Sequence, residues 1–304
     1  RLNELAMKYY RKVLQESQAA AVAREYLASR EVGPEAQEMF GIGYAPPASN
    51  GLIAAMGRSG VPPHLLVEAG LAGVDTAGPK QRYYDRFRNR VVFPIVNVYG
   101  RVVGFGARAL GDSMPKYLNS PESPVFNKRA NLYGLNLAAD RIRADGAAVV
   151  VEGYLDVVAA HQAGLANAVA TLGTALTTEQ ARLVSRYAQR VVMCYDADRA
   201  GSAATERGVG MTSGAGLEVR VAMLPEGHDP DSLVREYGGD ALKNSIEQAV
   251  PYARYRIERI LAATDMSSLQ SRLSAVEAVV EVLADVAGEV ERAEYVRELA
   301  GRLG

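Results

Sequence analysis

Five carboxylates stand beside apolar, strand-like runs in the middle of this 304-residue chain. They are Glu152 in Val149-Val150-Val151-Glu152-Gly153, the pair Asp196 and Asp198 in Cys194-Tyr195-Asp196-Ala197-Asp198, and the pair Asp229 and Asp231 in Gly227-His228-Asp229-Pro230-Asp231. Gathered carboxylates raise each other's pKa unless a positive charge sits between them. Mg²⁺ or Mn²⁺, which prefer oxygen ligands, can supply that charge, and such a site suits chemistry on phosphates. Residues i and i+2 of an extended segment point the same way, so each Asp-x-Asp pair can face one ion. Each motif also has a purely structural use. A lone Glu at a strand end complements a helix N-terminus, Asp198 fits equally as an N-cap, and Asp-Pro-Asp is a good helix start.

A second set is basic: Arg82, Arg86, Arg88, Arg90, Arg101, Arg108, Lys116, Lys128 and Arg129, interleaved with Tyr83, Tyr84, Phe87, Phe105, Tyr117 and Phe126. Arg and Lys contact phosphates and exposed aromatics stack on unpaired bases, although the apolar settings of Phe87 and Phe105 place those two in a core. His64, His161 and His228 have no metal-ligand spacing, and the chain has no Gly-x-x-x-x-Gly-Lys phosphate loop.

The elements that must position these residues follow from periodicity. Residues 2–30 read as one helix. The β-branched run 90–98 and the run 101–108, separated by Tyr99-Gly100, read as a hairpin, and 111–131 as an extended loop. A helix near 134–144 comes next. From 147 strands (147–152, 167–171, 190–195, 217–223) alternate with helices (154–163, 178–188, 199–211, 230–237), and Thr177 with Gln180 forms a capping box. Repeated βα units imply a mainly parallel sheet with its site beyond the carboxyl ends of the strands. Helices near 239–262, 267–286 and 289–302 close the chain, their charges reading as solvated faces. The expected fold is α/β, with three parts: a basic α+β subdomain over 1–130, a parallel-sheet domain over 131–255 and a helical subdomain over 256–304.

Composition narrows the classes. No apolar run reaches the roughly 20 residues of a membrane helix, and the single Cys194 excludes an internal disulfide or a multi-cysteine zinc site. Both point to a cytoplasmic protein. The net charge of −1 conceals an asymmetry. Residues 1–140 hold 17 basic and 12 acidic side chains, while 141–304 hold 17 and 23. A basic face beside an acidic centre suits a polyanion-handling enzyme.

Glu152-Gly153-Tyr154-Leu155-Asp156-Val157, Thr171-Leu172-Gly173-Thr174 and Tyr195-Asp196-Ala197-Asp198-Arg199-Ala200-Gly201 together resemble the Toprim module of primases, topoisomerases and some nucleases. Tyr84-Asp85-Arg86-Phe87-Arg88-Asn89-Arg90, Gly104-Phe105-Gly106-Ala107-Arg108, Pro115-Lys116-Tyr117-Leu118-Asn119-Ser120 and Phe126-Asn127-Lys128 are similar to bacterial DNA primases of the DnaG type. That resemblance implies an RNA polymerase core that makes short RNA primers on single-stranded DNA from ribonucleoside triphosphates. It implies that Glu152, Asp196 and Asp198 are catalytic and hold Mg²⁺ or Mn²⁺, with Asp229 and Asp231 completing the metal site. It also implies that Arg30, Arg86, Arg108, Lys116, Asn119 and Lys128 handle template or nucleotide. The family normally begins with a zinc-binding domain and ends with a helicase-binding domain. Both are expected to be absent here, so zinc and the replicative helicase belong to missing parts, and the core is expected to be a monomer. Ala197 departs from the glycine of many relatives.

Overall fold

A computed structural model describes residues 1–77, 80–173, 175–196, 205, 208–210, 212–286 and 288–303. The strands are β1 (Gly43–Ala45), β2 (Ala72–Asp75), β3 (Arg82–Asp85), β4 (Arg90–Val96), β5 (Val102–Ala109), β6 (Tyr117–Asn119), β7 (Ala147–Val151), β8 (Ala168–Ala170), β9 (Arg190–Met193), β10 (Glu218–Val221) and β11 (Val250–Pro251).

The β4–β5 hairpin forms as its β-branched runs require, with Phe93 opposite Gly106 and Ile95 opposite Gly104. Its turn is fixed by Asn97, whose Oδ1 accepts from the main-chain N–H groups of Tyr99 and Arg101, and by Gly100 at φ 75°. β1 and β6 flank the hairpin, giving an antiparallel sheet in the order β1-β4-β5-β6. β2 and β3 form a separate two-stranded ribbon. The glycines of Gly104-Phe105-Gly106 are seats for rings. A Cβ on Gly104 would lie 3.1 Å from the Phe126 ring, and one on Gly106 would lie 2.0 Å from Tyr154.

The second sheet runs β11-β10-β9-β7-β8. β10, β9, β7 and β8 are parallel neighbours, and β11 pairs antiparallel with β10 at the edge. From β7 the chain goes outward to β8 and then returns to β9 on the other side. The strand order therefore reverses between β7 and β9, where open α/β sheets leave a crevice at the carboxyl ends. The two sheets share one core that includes Phe93, Val103, Tyr133, Val151, Tyr154 and Val157. Tyr133, just before the helix Leu135–Asp145, forms an antiparallel bridge with Ala170 of β8.

Several boundaries differ from those read in the sequence. The N-terminal helix breaks into Leu2–Glu16 and Ala21–Ser29, because Ser17 is extended (φ −81°, ψ 135°) and its side chain accepts from Ala19 N–H. Helix 239–262 is two helices, Gly239–Glu247 and Tyr252–Ala262. Val250 and Pro251 extend between them to pair with β10, and proline cannot continue a helix. The loop over 111–131 contains β6, and β1, β2 and β3 were not anticipated. The Thr177–Gln180 capping box is present. The expected helix over 199–211 lies largely outside the described residues. At the C-terminus Tyr252–Ala262, Leu269–Ala284 and Glu289–Leu303 pack around Ile257, Leu261, Val279, Leu283 and Leu299.

Candidate active site

β7 is an apolar run buried in the sheet, and it delivers Glu152 to the crevice between β7 and β9. Asp196 follows β9 on the other side, and its main-chain N–H donates to Glu152 Oε1 (3.4 Å). Glu152 and Asp196 are thus brought together as their strand-end positions require. Asp198, with Ala197, lies outside the described residues.

After Glu152 the chain turns at Gly153 into the helix Tyr154–Gln162. Asp156, one turn in, is 7% exposed. Its Oδ2 accepts from Gly153 N–H (2.8 Å) and its Oδ1 from Asp231 N–H (3.3 Å), fastening the helix start to the Asp-Pro-Asp turn. Burial first, then the nearby Asp229, Asp196 and Asp231, push the Asp156 carboxyl well above the ordinary carboxylate range, against the pull of Gly153 N–H. Asp156 was not among the predicted site residues, although it stands in the same motif, four residues from Glu152.

The Asp229/Asp231 pair divides its roles. Asp229 is the N-cap of the helix Pro230–Tyr237 and accepts from Ser232 N–H at 2.6 Å. Asp231 is buried and accepts from Arg30 Nη1 at 2.6 Å, with Arg235 Nε at 3.5 Å. Arg30, at the end of the helix Ala21–Ser29, thereby joins the acidic group from 201 residues away.

These acids form one wall of a cleft of about 280 Å³ that Glu152, Asp156, Asp196, Asp229 and Asp231 line together with Arg30, Lys116, Tyr117, Asn119 and Tyr154. Arg108, Arg86 and Lys128 are not among its lining residues. Arg108 lies just behind, its guanidinium 4.5 Å from the ring centre of Tyr26 and 5.9 Å from that of Tyr117. Arg86 donates to the Asn119 carbonyl (3.2 Å). Lys128 sits on the short turn Lys128–Ala130, held by Gln180, which donates to its carbonyl at 3.1 Å. Phe126, grouped in the sequence with aromatics able to stack on bases, is 1% exposed and belongs to the core, as do Phe87 and Phe105. Cys194 is buried too, and burial pushes its thiol pKa up, so it is a packing residue.

The acidic side chains offer only oxygen donors, so the set suits a hard divalent cation. Among the described residues no three acidic, histidine or cysteine side chains already form a cluster able to hold one ion.

Three family models match along the chain: the DNA primase catalytic core, N-terminal domain, over residues 9–139; a Toprim-like model over 149–234; and the DnaB-helicase binding domain of primase over 253–304. A DNA primase of Clostridium acetobutylicum is 40% identical over 282 residues, 93% of this chain and 46% of that protein. The DNA primase of Escherichia coli K12 is 38% identical over 301 residues, 97% and 51% of the two. A solved DnaG primase catalytic domain bound to ssDNA is 37% identical with a TM-score of 0.83, over 100% of this chain and 95% of that one. The chain belongs to the DnaG-type bacterial DNA primase family. The RNA polymerase domain of Mycobacterium tuberculosis primase DnaG superposes with a TM-score of 0.88 at 34% identity, over 99% and 97% of the chains. This primase-family chain spans about half the length of the curated relatives it matches.

The family match corrects one expectation. The helicase-binding domain is not absent: its family model covers residues 253–304, the three C-terminal helices. Their sequence signal was only an amphipathic pattern, which any solvated helix shares. None of the described helices is long and apolar enough to cross a membrane.

Proposed function

We propose that this chain synthesises short RNA primers on a single-stranded DNA template, joining ribonucleoside triphosphates by metal-dependent nucleotidyl transfer. The observation that carries the reading is one cleft lined both by carboxylates and by Arg30 and Lys116. Polymerisation needs both: a cation site for the reacting phosphate and fixed positive charge for the polyanion.

In this reading Glu152 and Asp196, with Asp198 by its place in the motif, hold Mg²⁺ or Mn²⁺, and Asp229 and Asp231 serve a second position. When bound, the cation supplies acidity to the attacking 3′-hydroxyl and charge neutralisation to the triphosphate. The protein's own groups position. Lys116 and Arg30 pair with phosphate oxygens, and Tyr117 offers a ring face beside them. Arg86, Arg108 and Lys128 extend the basic surface for the template. Asp231 holds Arg30 at the cleft, and Asp156 ties the Glu152 turn to the main chain at Asp231. The solved relative described as bound to ssDNA supports the choice of template. The match over 253–304 supports binding of a replicative helicase by the C-terminal helices.

Incubation with a single-stranded oligonucleotide, the four ribonucleoside triphosphates and Mg²⁺ or Mn²⁺ tests the reading. RNA products are expected, and Asp196→Ala or Glu152→Gln is expected to abolish them while leaving the circular dichroism spectrum unchanged. Shortening of the DNA without RNA synthesis would instead mark a Toprim nuclease.

A further inference from the structure

We propose that Asn119 is a positioning residue, whose side-chain amide fastens β6, the strand that follows Lys116, to the helix that starts after Glu152 and to the loop after β8. This rests on reading the cleft as a polymerase site, but it gives Asn119 a role other than contact with nucleic acid. Both ends of the amide are engaged within the protein. Oδ1 accepts from the Tyr154 hydroxyl at 2.7 Å, and Nδ2 donates to the Leu172 carbonyl at 2.9 Å. The three residues come from three segments: β6, the helix that starts after Glu152, and the loop after β8.

Each partner is itself fixed. Tyr154 is 5% exposed, and its ring stacks on Phe93 (centres 5.1 Å apart, planes 10° apart) over the bare Cα of Gly106. It follows Glu152 by two residues, at the first position of the helix into which the Glu152 turn leads. Lys116 precedes Asn119 by three residues and stands immediately before β6. The amide therefore sets the spacing between a phosphate-binding cation and a metal-binding carboxylate. The Asn amide accepts from a hydroxyl through one terminal atom and donates to a carbonyl through the other, so it spans two partners at once. Asp offers no donor to Leu172, and Leu offers neither bond.

A double-mutant cycle on the full chain tests the proposal, with Tyr154→Phe, Asn119→Ala and the pair. Tyr154→Phe removes one hydroxyl and leaves Asn119 free to meet a ligand. Tyr154→Phe is expected to lower kcat/KM for primer synthesis by about fivefold, the worth of one buried hydrogen bond, Asn119→Ala, which removes two, by more, and the pair is expected to be no worse than Asn119→Ala alone. If Asn119 is a ligand contact, Tyr154→Phe leaves kcat/KM unchanged while Asn119→Ala raises KM, and the proposal falls. Amide hydrogen exchange supplies a readout independent of activity: Tyr154→Phe is expected to speed exchange over residues 117–120 while the β4–β5 hairpin stays protected. Unchanged exchange there overturns the tie even if the wild type makes primers. A wild type that makes none, with exchange altered as expected, removes the polymerase reading and leaves the tie standing.

Discussion

Asp156 is the residue on which the site's electrostatics turn. Both of its oxygens accept main-chain N–H groups, yet three other carboxyls crowd it in a buried position. Its folded pKa is raised above the unfolded value of about 3.9, so folding favours the protonated form. The stability this protonated form contributes is complete below about pH 4 and is lost as pH rises toward the folded pKa. In urea titrations without divalent cations, the stability of the wild type relative to Asp156→Asn is therefore expected to fall as pH rises from about 4 to neutrality. Added Mg²⁺ is expected to reduce that fall, and a pH-independent difference would contradict the raised pKa. Arg30 makes the complementary case. Asp231 is buried and pairs with it at 2.6 Å, with Arg235 at 3.5 Å the one other cation paired with this carboxylate among the described residues. Arg30→Met is expected to destabilise the free protein by about 1–3 kcal/mol, seen as a lower Tm with no nucleotide or DNA present. A residue kept only for ligand contact would leave that Tm unchanged.

At the scale of elements, the legible parts were those written locally. β7 and β9 announce themselves as apolar runs ending in acids, and the β4–β5 hairpin as two β-branched runs about a Tyr-Gly turn. What stayed hidden depends on distant partners. β1, β2, β3 and β6 are three or four residues long and exist because a neighbouring strand accepts them. Asn119 is joined to residues 35 and 53 positions away, so its amide's commitment has no sequence signal. The helix Gly51–Gly57 shows the same effect. Its cap is not Asn50, which makes no side-chain cap, but Asp85 at the end of β3, whose carboxylate accepts from Leu52 N–H (2.7 Å) and Ile53 N–H (3.1 Å). Asp85→Ala is expected to cost about 1–2 kcal/mol, as loss of an N-cap does, measured by chemical denaturation. Because this helix does not line the cleft, kcat/KM for primer synthesis below the melting range is expected to stay within about twofold of wild type.

At the scale of the molecule, the charge asymmetry of the sequence becomes a spatial division. The basic first half supplies Arg30 and Lys116, the acidic second half supplies the carboxylates, and the cleft lies where the two meet. A polyanion drawn to the basic wall therefore arrives beside the acids, which repel it until a cation intervenes. Two consequences follow for a single-stranded oligonucleotide. Its affinity is expected to rise with Mg²⁺ at fixed ionic strength, and to fall linearly with monovalent salt on logarithmic axes as phosphate counterions are released. The contribution of one wall residue can then be read separately. Lys116→Ala is expected to reduce the salt slope by about 0.7, the value for one phosphate contact on a single strand. Lys243→Ala, which removes a cation already paired with Asp240 at 2.9 Å away from the cleft, is expected to leave the slope unchanged. Equal slopes for wild type and Lys116→Ala would place the strand elsewhere on the basic surface, because an electrostatic contact cannot be lost without a change in the number of ions released.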